Sequence, residues 1–157
     1  LIRGEEKRRL IPPENFSIVI GNSMIPHHTS ELVRKVASFR SRFPAIANPI
    51  FDAIGAIAMD AMHNFENPKE LGELMNRNQA LLDALGVGHP VLTRMNEAAI
   101  NAGAFGSKLS GAGGGGCVWA ICPRNVRNRV MNAFESCDGK PISTAIDMEG
   151  VRKEGDI

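Results

Sequence analysis

A run of five glycines within six residues, Gly111-Ala-Gly-Gly-Gly-Gly116, constrains the fold of this chain more than any other feature. Glycine loses more backbone freedom on folding than any other residue, so neither a helix nor a strand continues through such a run. A short strand-like segment, Ser107–Ser110, precedes it, and an apolar strand, Cys117–Cys122, follows it. The connection is too short for a parallel crossover, which predicts that these two strands are antiparallel.

The rest of the sequence predicts an α+β fold with about four antiparallel strands packed with about five helices. Further strands are predicted at Phe16–Ile20 and Pro141–Ile146, where β-branched residues cluster. Apolar residues recur every three or four positions in five segments, the periodicity of amphipathic helices. Thr29 or Ser30 is the predicted N-cap of the first of these helices. The predicted helical segments are 30–43, 46–65, 68–85, 91–102 and 123–136.

Composition excludes several classes of function. The net charge is +1 over 157 residues, so no strong field favours nucleic acid or a membrane surface. Tyrosine is absent, which counts against a stacking surface for single-stranded nucleic acid. The sequence contains no uninterrupted run of about 18 apolar residues, so no membrane span is predicted. Cys117, Cys122 and Cys137 lack C-x-x-C spacing, which indicates reduced cysteines in a cytoplasmic protein. The four histidines have no metal-ligand spacing, so no metal site is predicted.

The glycine run allows two interpretations. It formally matches G-x-G-x-x-G, but a strand follows where a dinucleotide fold needs a helix, and no Gly-Lys-Ser/Thr sequence marks a P-loop. It can be a tight connection between strands. Alternatively, its backbone closely approaches a ligand or a second loop, with N–H groups facing anions.

Three segments carry a family resemblance. Lys108-Leu-Ser-Gly-Ala-Gly-Gly-Gly-Gly-Cys117 resembles the third conserved motif of GHMP small-molecule kinases. Leu82-Asp-Ala-Leu-Gly-Val-Gly-His89 and Asn22-Ser-Met-Ile-Pro-His-His-Thr29 are similar to segments of the mevalonate kinase branch of that family. Met24 and His27 depart from that branch, which usually has lysine and arginine there. The likeness extends over residues 16–152 and implies the C-terminal domain of a GHMP kinase.

The resemblance implies the substrate-side half of an ATP- and Mg²⁺-dependent kinase of mevalonate. The family's phosphate loop, catalytic aspartate and metal-binding glutamate match no segment of this chain. They would lie in an N-terminal kinase domain, so this chain alone would be inactive and bind no cofactor tightly. The resemblance places the glycine loop and its preceding residue near substrate and phosphate, and three further residues in a possible substrate cleft. These residues are Ser110, Gly111, Ala112, Gly113, Gly114, Gly115 and Gly116 for the loop, and His27, Thr29 and Asn78 for the cleft.

The expected organisation has three parts: an N-terminal segment, 1–15, a domain, 16–152, and a frayed tail, 153–157. The charged residues Glu5–Arg9 fit a solvated segment. Expected partners are the N-terminal kinase domain and a small-molecule alcohol, with a homodimer as a further option. Alternatives are another GHMP kinase, such as a phosphomevalonate kinase or galactokinase, or a standalone ligand-binding module without catalysis.

Overall fold

The protein, described here by a computed structural model for residues 16–144, is built on a four-stranded antiparallel sheet. The strands are β1 (Phe16–Asn22), β2 (Gly106–Ser110), β3 (Cys117–Pro123) and β4 (Lys140–Thr144), in the spatial order β2-β3-β1-β4. Five α-helices accompany them within the described residues: α1 (Thr29–Arg42), α2 (Pro44–His63), α3 (Pro68–Ala84), α4 (Pro90–Asn101) and α5 (Arg127–Glu135). The predicted α+β class and antiparallel sheet are confirmed.

Several predicted boundaries differ from the structure. The N-cap of α1 is His28, whose side chain makes no capping hydrogen bond, rather than Thr29 or Ser30. The last predicted helix is shorter, because a 3₁₀ turn at Arg124–Val126 follows the proline that ends β3. The N-terminal segment 1–15, the frayed tail 153–157 and the last two residues of the predicted final strand lie outside the described residues.

One face of the sheet carries the core. Alternate residues of the central strands, including Val19 and Val118, point to this face and are fully buried. They pack in one cluster with Leu92 and Met95 of α4 and with Phe134 of α5. Removing this apolar surface from water is the main contribution to stability.

Helix α3 seals the outer edge of β2. This strand ends the sheet of the described residues and presents the backbone N–H groups of Ser107 and Leu109 away from its neighbour β3. The side-chain oxygen of Asn76 accepts the first at 3.0 Å, and that of Gln79 accepts the second at 2.7 Å. Two amide side chains, spaced about one helical turn apart, thus replace the neighbouring strand that an unpaired edge would otherwise recruit.

This arrangement requires close contact between helix and strand backbones. A Cβ atom added to Gly72 would lie 2.4 Å from the carbonyl carbon of Phe105, and one added to Gly106 would lie 2.2 Å from the carbonyl oxygen of Gly72. Side chains at either position would push α3 away from β2. The two glycines therefore set the distance at which Asn76 and Gln79 reach the strand edge.

Helices α1 and α2 lie at the periphery. Helix α1 buries no residue, and α2 buries only Ala47. By length and composition alone, Pro44–His63 is long and apolar enough to cross a membrane, with a mean hydropathy of 1.3. One helix that meets this test is weak evidence for a membrane span, and part of its apolar surface lines an open cavity that it shares with α3 and the sheet.

We expect Gln79→Met to destabilise the protein by about 1–3 kcal/mol, because the buried N–H of Leu109 would lose its acceptor while the side-chain volume is kept. Arg77→Ala is the matched control, since Arg77 is exposed on the same helix and should change stability by less than about 0.5 kcal/mol. Urea unfolding of both variants measures the difference. Equal stabilities would contradict the edge-sealing role.

Candidate functional site

The glycine loop, Gly111–Gly116, joins β2 to β3 and begins and ends at the paired residues Ser110 and Cys117. The antiparallel pairing predicted for the two strands is confirmed. The backbone is left-handed at Gly111, Gly113, Gly114 and Gly116, with φ angles of 81°, 83°, 71° and 73°. Residues with a Cβ atom rarely adopt this conformation, which explains part of the glycine content.

Close packing against two neighbouring loops explains the rest of the glycine content. The first is the β1–α1 loop, residues 23–28, which is joined to the end of the glycine loop by two backbone hydrogen bonds. Ser23 N–H donates to the Gly116 carbonyl at 2.8 Å, and Gly116 N–H donates to the Ile25 carbonyl at 3.1 Å. A Cβ atom on Gly115 would lie 2.6 Å from the same Ile25 carbonyl oxygen.

The second neighbour is the α3–α4 loop, residues 85–89. Gly114 N–H donates to the Val87 carbonyl at 2.8 Å, and a Cβ atom on Gly113 would lie 2.1 Å from that carbonyl oxygen. The loop is therefore more than a tight strand connection, since its backbone packs directly against two other loops. The glycine loop, the β1–α1 loop and the α3–α4 loop lie in the three sequence segments that carry the family resemblance, and the fold brings them together.

The contacts correct one expectation about the N–H groups. Those of Gly114 and Gly116 are bonded to protein carbonyls and are not free to face an anion. Within residues 16–144, the N–H groups of Gly111, Ala112 and Gly113 make no hydrogen bond, and neither does that of Gly115. Gly111 is exposed and Ala112 is half-buried, so this end of the loop is accessible to a ligand.

Ser110 lies at the exposed end of β2, immediately before the open part of the loop. Its hydroxyl group and the adjacent N–H groups of Gly111 and Ala112 are the polar groups that the loop offers to a ligand. Neutral donors of this kind stabilise charge that develops on phosphoryl oxygens. Donors of this kind can position a ligand, but without a base they cannot activate it.

The three residues predicted for a substrate cleft do not lie together. The imidazole of His27 lies against Gly116, where an added Cβ atom would be 2.8 Å from its Cε1 atom. Thr29 is exposed and begins α1, next to the same loops. Asn78 instead lines an apolar cavity between α3 and the sheet. The structure thus brings His27 to the glycine loop and places Asn78 in a different environment.

Local side-chain contacts hold the β1–α1 loop in place. The Asn22 carboxamide oxygen accepts from Met24 N–H at 2.9 Å, and the Ser23 hydroxyl accepts from Ile25 N–H at 3.3 Å. Met24 has a φ of 57° and is 63% exposed beside the site. Short polar side chains that bond two residues ahead stabilise such turns.

Sequence reasoning missed Lys35 of α1 and the carbonyl groups of Ile25 and Val87. The Lys35 ammonium donates to the Gly86 carbonyl at 2.5 Å and brings a positive charge next to the α3–α4 loop. An exposed lysine in a helix carries no sequence signal for this contact. The two carbonyl groups belong to the backbone, so residue type could not have identified them.

The titratable groups near the sheet do not form a catalytic set. Burial lowers the pKa of the Lys108 ammonium. Burial also raises the pKa of the Cys122 thiol, with a smaller opposing effect from Arg127. The three cysteines are free. Among residues 16–144, no group of three or more His, Cys, Asp or Glu side chains could hold a metal ion.

Comparison with known proteins gives consistent results. The family model described as GHMP kinases C terminal matches residues 58–139. A mevalonate kinase of Thermococcus sibiricus is 38% identical over 151 residues, which cover 92% of this chain and 45% of that protein. The chain thus spans less than half the length of this curated relative.

Solved structures share the fold. The crystal structure of the Methanococcus jannaschii mevalonate kinase superposes with a TM-score of 0.70 at 27% identity, covering 83% of this chain and 39% of that one. The L. major mevalonate kinase in complex with R-mevalonate gives a TM-score of 0.77 over 82% of this chain and 40% of that one. At 23% identity, it supports the fold alone.

Two glycines of the loop differ in what surrounds them. An added Cβ atom meets nothing within 4 Å at Gly111, whereas at Gly113 it meets the Val87 carbonyl. We expect Gly111→Ala to cost about 1–2 kcal/mol from backbone strain alone. Gly113→Ala should cost about 1–3 kcal/mol more, because it also overpacks the contact between loops. Urea unfolding tests this order, and equal losses would show that the loops do not constrain each other.

Proposed function

The chain belongs to the GHMP kinase family, and we propose that it is the substrate-side, C-terminal half of an ATP-dependent kinase that phosphorylates mevalonate. The observation that carries this proposal is the 38% identity to a mevalonate kinase over 92% of the chain. The glycine loop supports it, because Ser110 and the free N–H groups of Gly111 and Ala112 are accessible at one end of the sheet. The same geometry suits a small phosphorylated or hydroxylated ligand.

In this proposal the chain positions substrate and leaves the chemistry to the other half. Phosphoryl transfer depends mainly on alignment and on stabilising charge around the transferred group. The open end of the glycine loop donates hydrogen bonds at that place, while its packed end holds the β1–α1 loop and thereby His27. Residues 16–144 gather no group of three or more His, Cys, Asp or Glu side chains, and we assign Mg²⁺ and the catalytic groups to the rest of the complete enzyme.

The proposed partners are ATP, a small alcohol and the N-terminal kinase domain, with residues 16–152 as the C-terminal domain. Water-soluble substrates favour a cytoplasmic enzyme. The exposed apolar residues of the peripheral helices, such as Val33 and Ile46, leave room for contact with the other domain or with a second copy.

We expect the chain on its own to show no mevalonate-dependent ATP turnover, because no segment of its sequence matches the family's phosphate loop or catalytic aspartate. A coupled ADP-release assay compares the purified chain with the complete enzyme at equal concentration. The complete enzyme should turn over at about 1–100 per second, as kinases usually do. Turnover of the chain alone in that range would overturn its assignment as a non-catalytic half.

In the complete enzyme, we expect His27→Ala to raise the KM for mevalonate several-fold without a comparable fall in kcat, the pattern of lost uniform binding. His27→Arg should keep or improve the affinity, since a guanidinium group provides a permanent charge. His28→Ala is the matched control, because His28 is exposed and makes no side-chain capping bond. Equal KM values for all variants between pH 6 and 8 would remove His27 from the site.

A further inference from the structure

A cavity of about 590 Å³ lies between the second face of the sheet and the layer formed by α2 and α3. The sheet contributes Ile18, Trp119 and Ile121, and the helices contribute apolar side chains such as Ile57 and Leu74. Its volume and apolar lining are those of a small-molecule pocket, in which a few polar groups fix the orientation of the ligand.

Of the described residues that line this hydrophobic wall, Lys108 and Asn78 are the ones with polar side chains, apart from the indole of Trp119. Lys108 pairs with Trp119 across β2 and β3, so both side chains lie on the cavity side of the sheet. The Lys108 ammonium donates to the Leu109 carbonyl at 2.9 Å, which uses one of its three protons. The Asn78 side chain makes no hydrogen bond within residues 16–144.

Among residues 16–144, no carboxylate side chain lines the cavity to balance the charge of Lys108. Burial lowers the pKa of its ammonium group, so the charged form is under-stabilised. A half-buried cation of this kind is stabilised when an anion pairs with it. The long apolar wall and the single cation at one place on it are complementary to a molecule with an apolar body and one anionic head.

We propose that this cavity binds an amphipathic anion, with its apolar body between α2 and the sheet and its carboxylate or phosphate head paired with Lys108. The carboxamide of Asn78 donates a second hydrogen bond to the head. Lys108 lies two residues before Ser110 on the same side of β2, so the head sits toward the glycine-loop end of the sheet. This binding site is separate from the proposed kinase function and would stand if that function failed.

Trp119 provides a direct readout, because it is the only tryptophan of the chain and lines the cavity. Dodecanoate and dodecyl phosphate, below their micelle concentrations, are titrated against the chain while its fluorescence is followed. Each should give a saturable change with one site per chain, and the tighter of the two identifies the preferred head. Dodecanol and dodecyltrimethylammonium should bind at least about tenfold more weakly, because they lack the charge-assisted pair.

Substitutions in and near the cavity test whether Lys108 and the apolar wall bind the probes. Lys108→Met should weaken dodecanoate binding about tenfold and leave dodecanol unchanged, while Lys108→Arg should bind dodecanoate within a few-fold of the parent. Lys69→Met is the matched control on the exposed side of α3 and should change nothing. Ala61→Phe should abolish binding of every probe by filling the cavity, with circular dichroism used to verify its fold.

Calorimetry with the complete enzyme gives the final test. One-site binding of the anionic probe there, lost in Lys108→Met, would establish the site. Equal binding of dodecanol and dodecanoate, or an unchanged affinity in Lys108→Met, would overturn the proposal. Binding by the chain but not by the complete enzyme would overturn it as well, since the cavity would then be covered by the rest of the protein.

Discussion

Gly72 and Gly106 bring α3 into backbone contact with β2, and much of the structure follows from this closeness. At that distance Asn76 and Gln79 satisfy the outer N–H groups of the edge strand, so the strand needs no further neighbour. Helix α3 is thereby fixed along β2. Val87, just beyond the C-terminal end of α3, then reaches the glycine loop, and an adjacent face of α3 forms a wall of the apolar cavity.

The glycine loop serves two purposes at its two ends. Its second half is committed to structure, because Gly114 and Gly116 donate to carbonyl groups of the two adjoining loops. Its first half remains open, with Gly111 exposed and no atom within 4 Å of the place a side chain would occupy. Holding one end rigid reduces the conformational entropy lost when the other end orders around a ligand, so a glycine-rich loop can still bind in one conformation.

The two faces of the sheet differ in how they are filled. One face is closed by α4 and α5 around Phe134, whereas the other is only partly covered by α2 and α3. Strand alternation determines which residues belong to each face, so the fully buried Val118 and the cavity-lining Trp119 are sequence neighbours in opposite environments. The same alternation directs Lys108 into the apolar space while Leu109 is buried on the other side.

The helices, the strands and the family were predictable from the sequence alone. Helical periodicity and the glycine run placed five helices and an antiparallel sheet within a few residues of their observed bounds, because these signals are local. The three motifs identified the loops that meet at the site. Which glycine N–H groups are bonded depends on the three-dimensional fold, because the acceptors of Gly116 and Gly114 are the backbone carbonyls of Ile25 and Val87, which residue type does not reveal. The fold also separated Asn78 from His27, because contacts between distant segments depend on how α3 packs against the sheet.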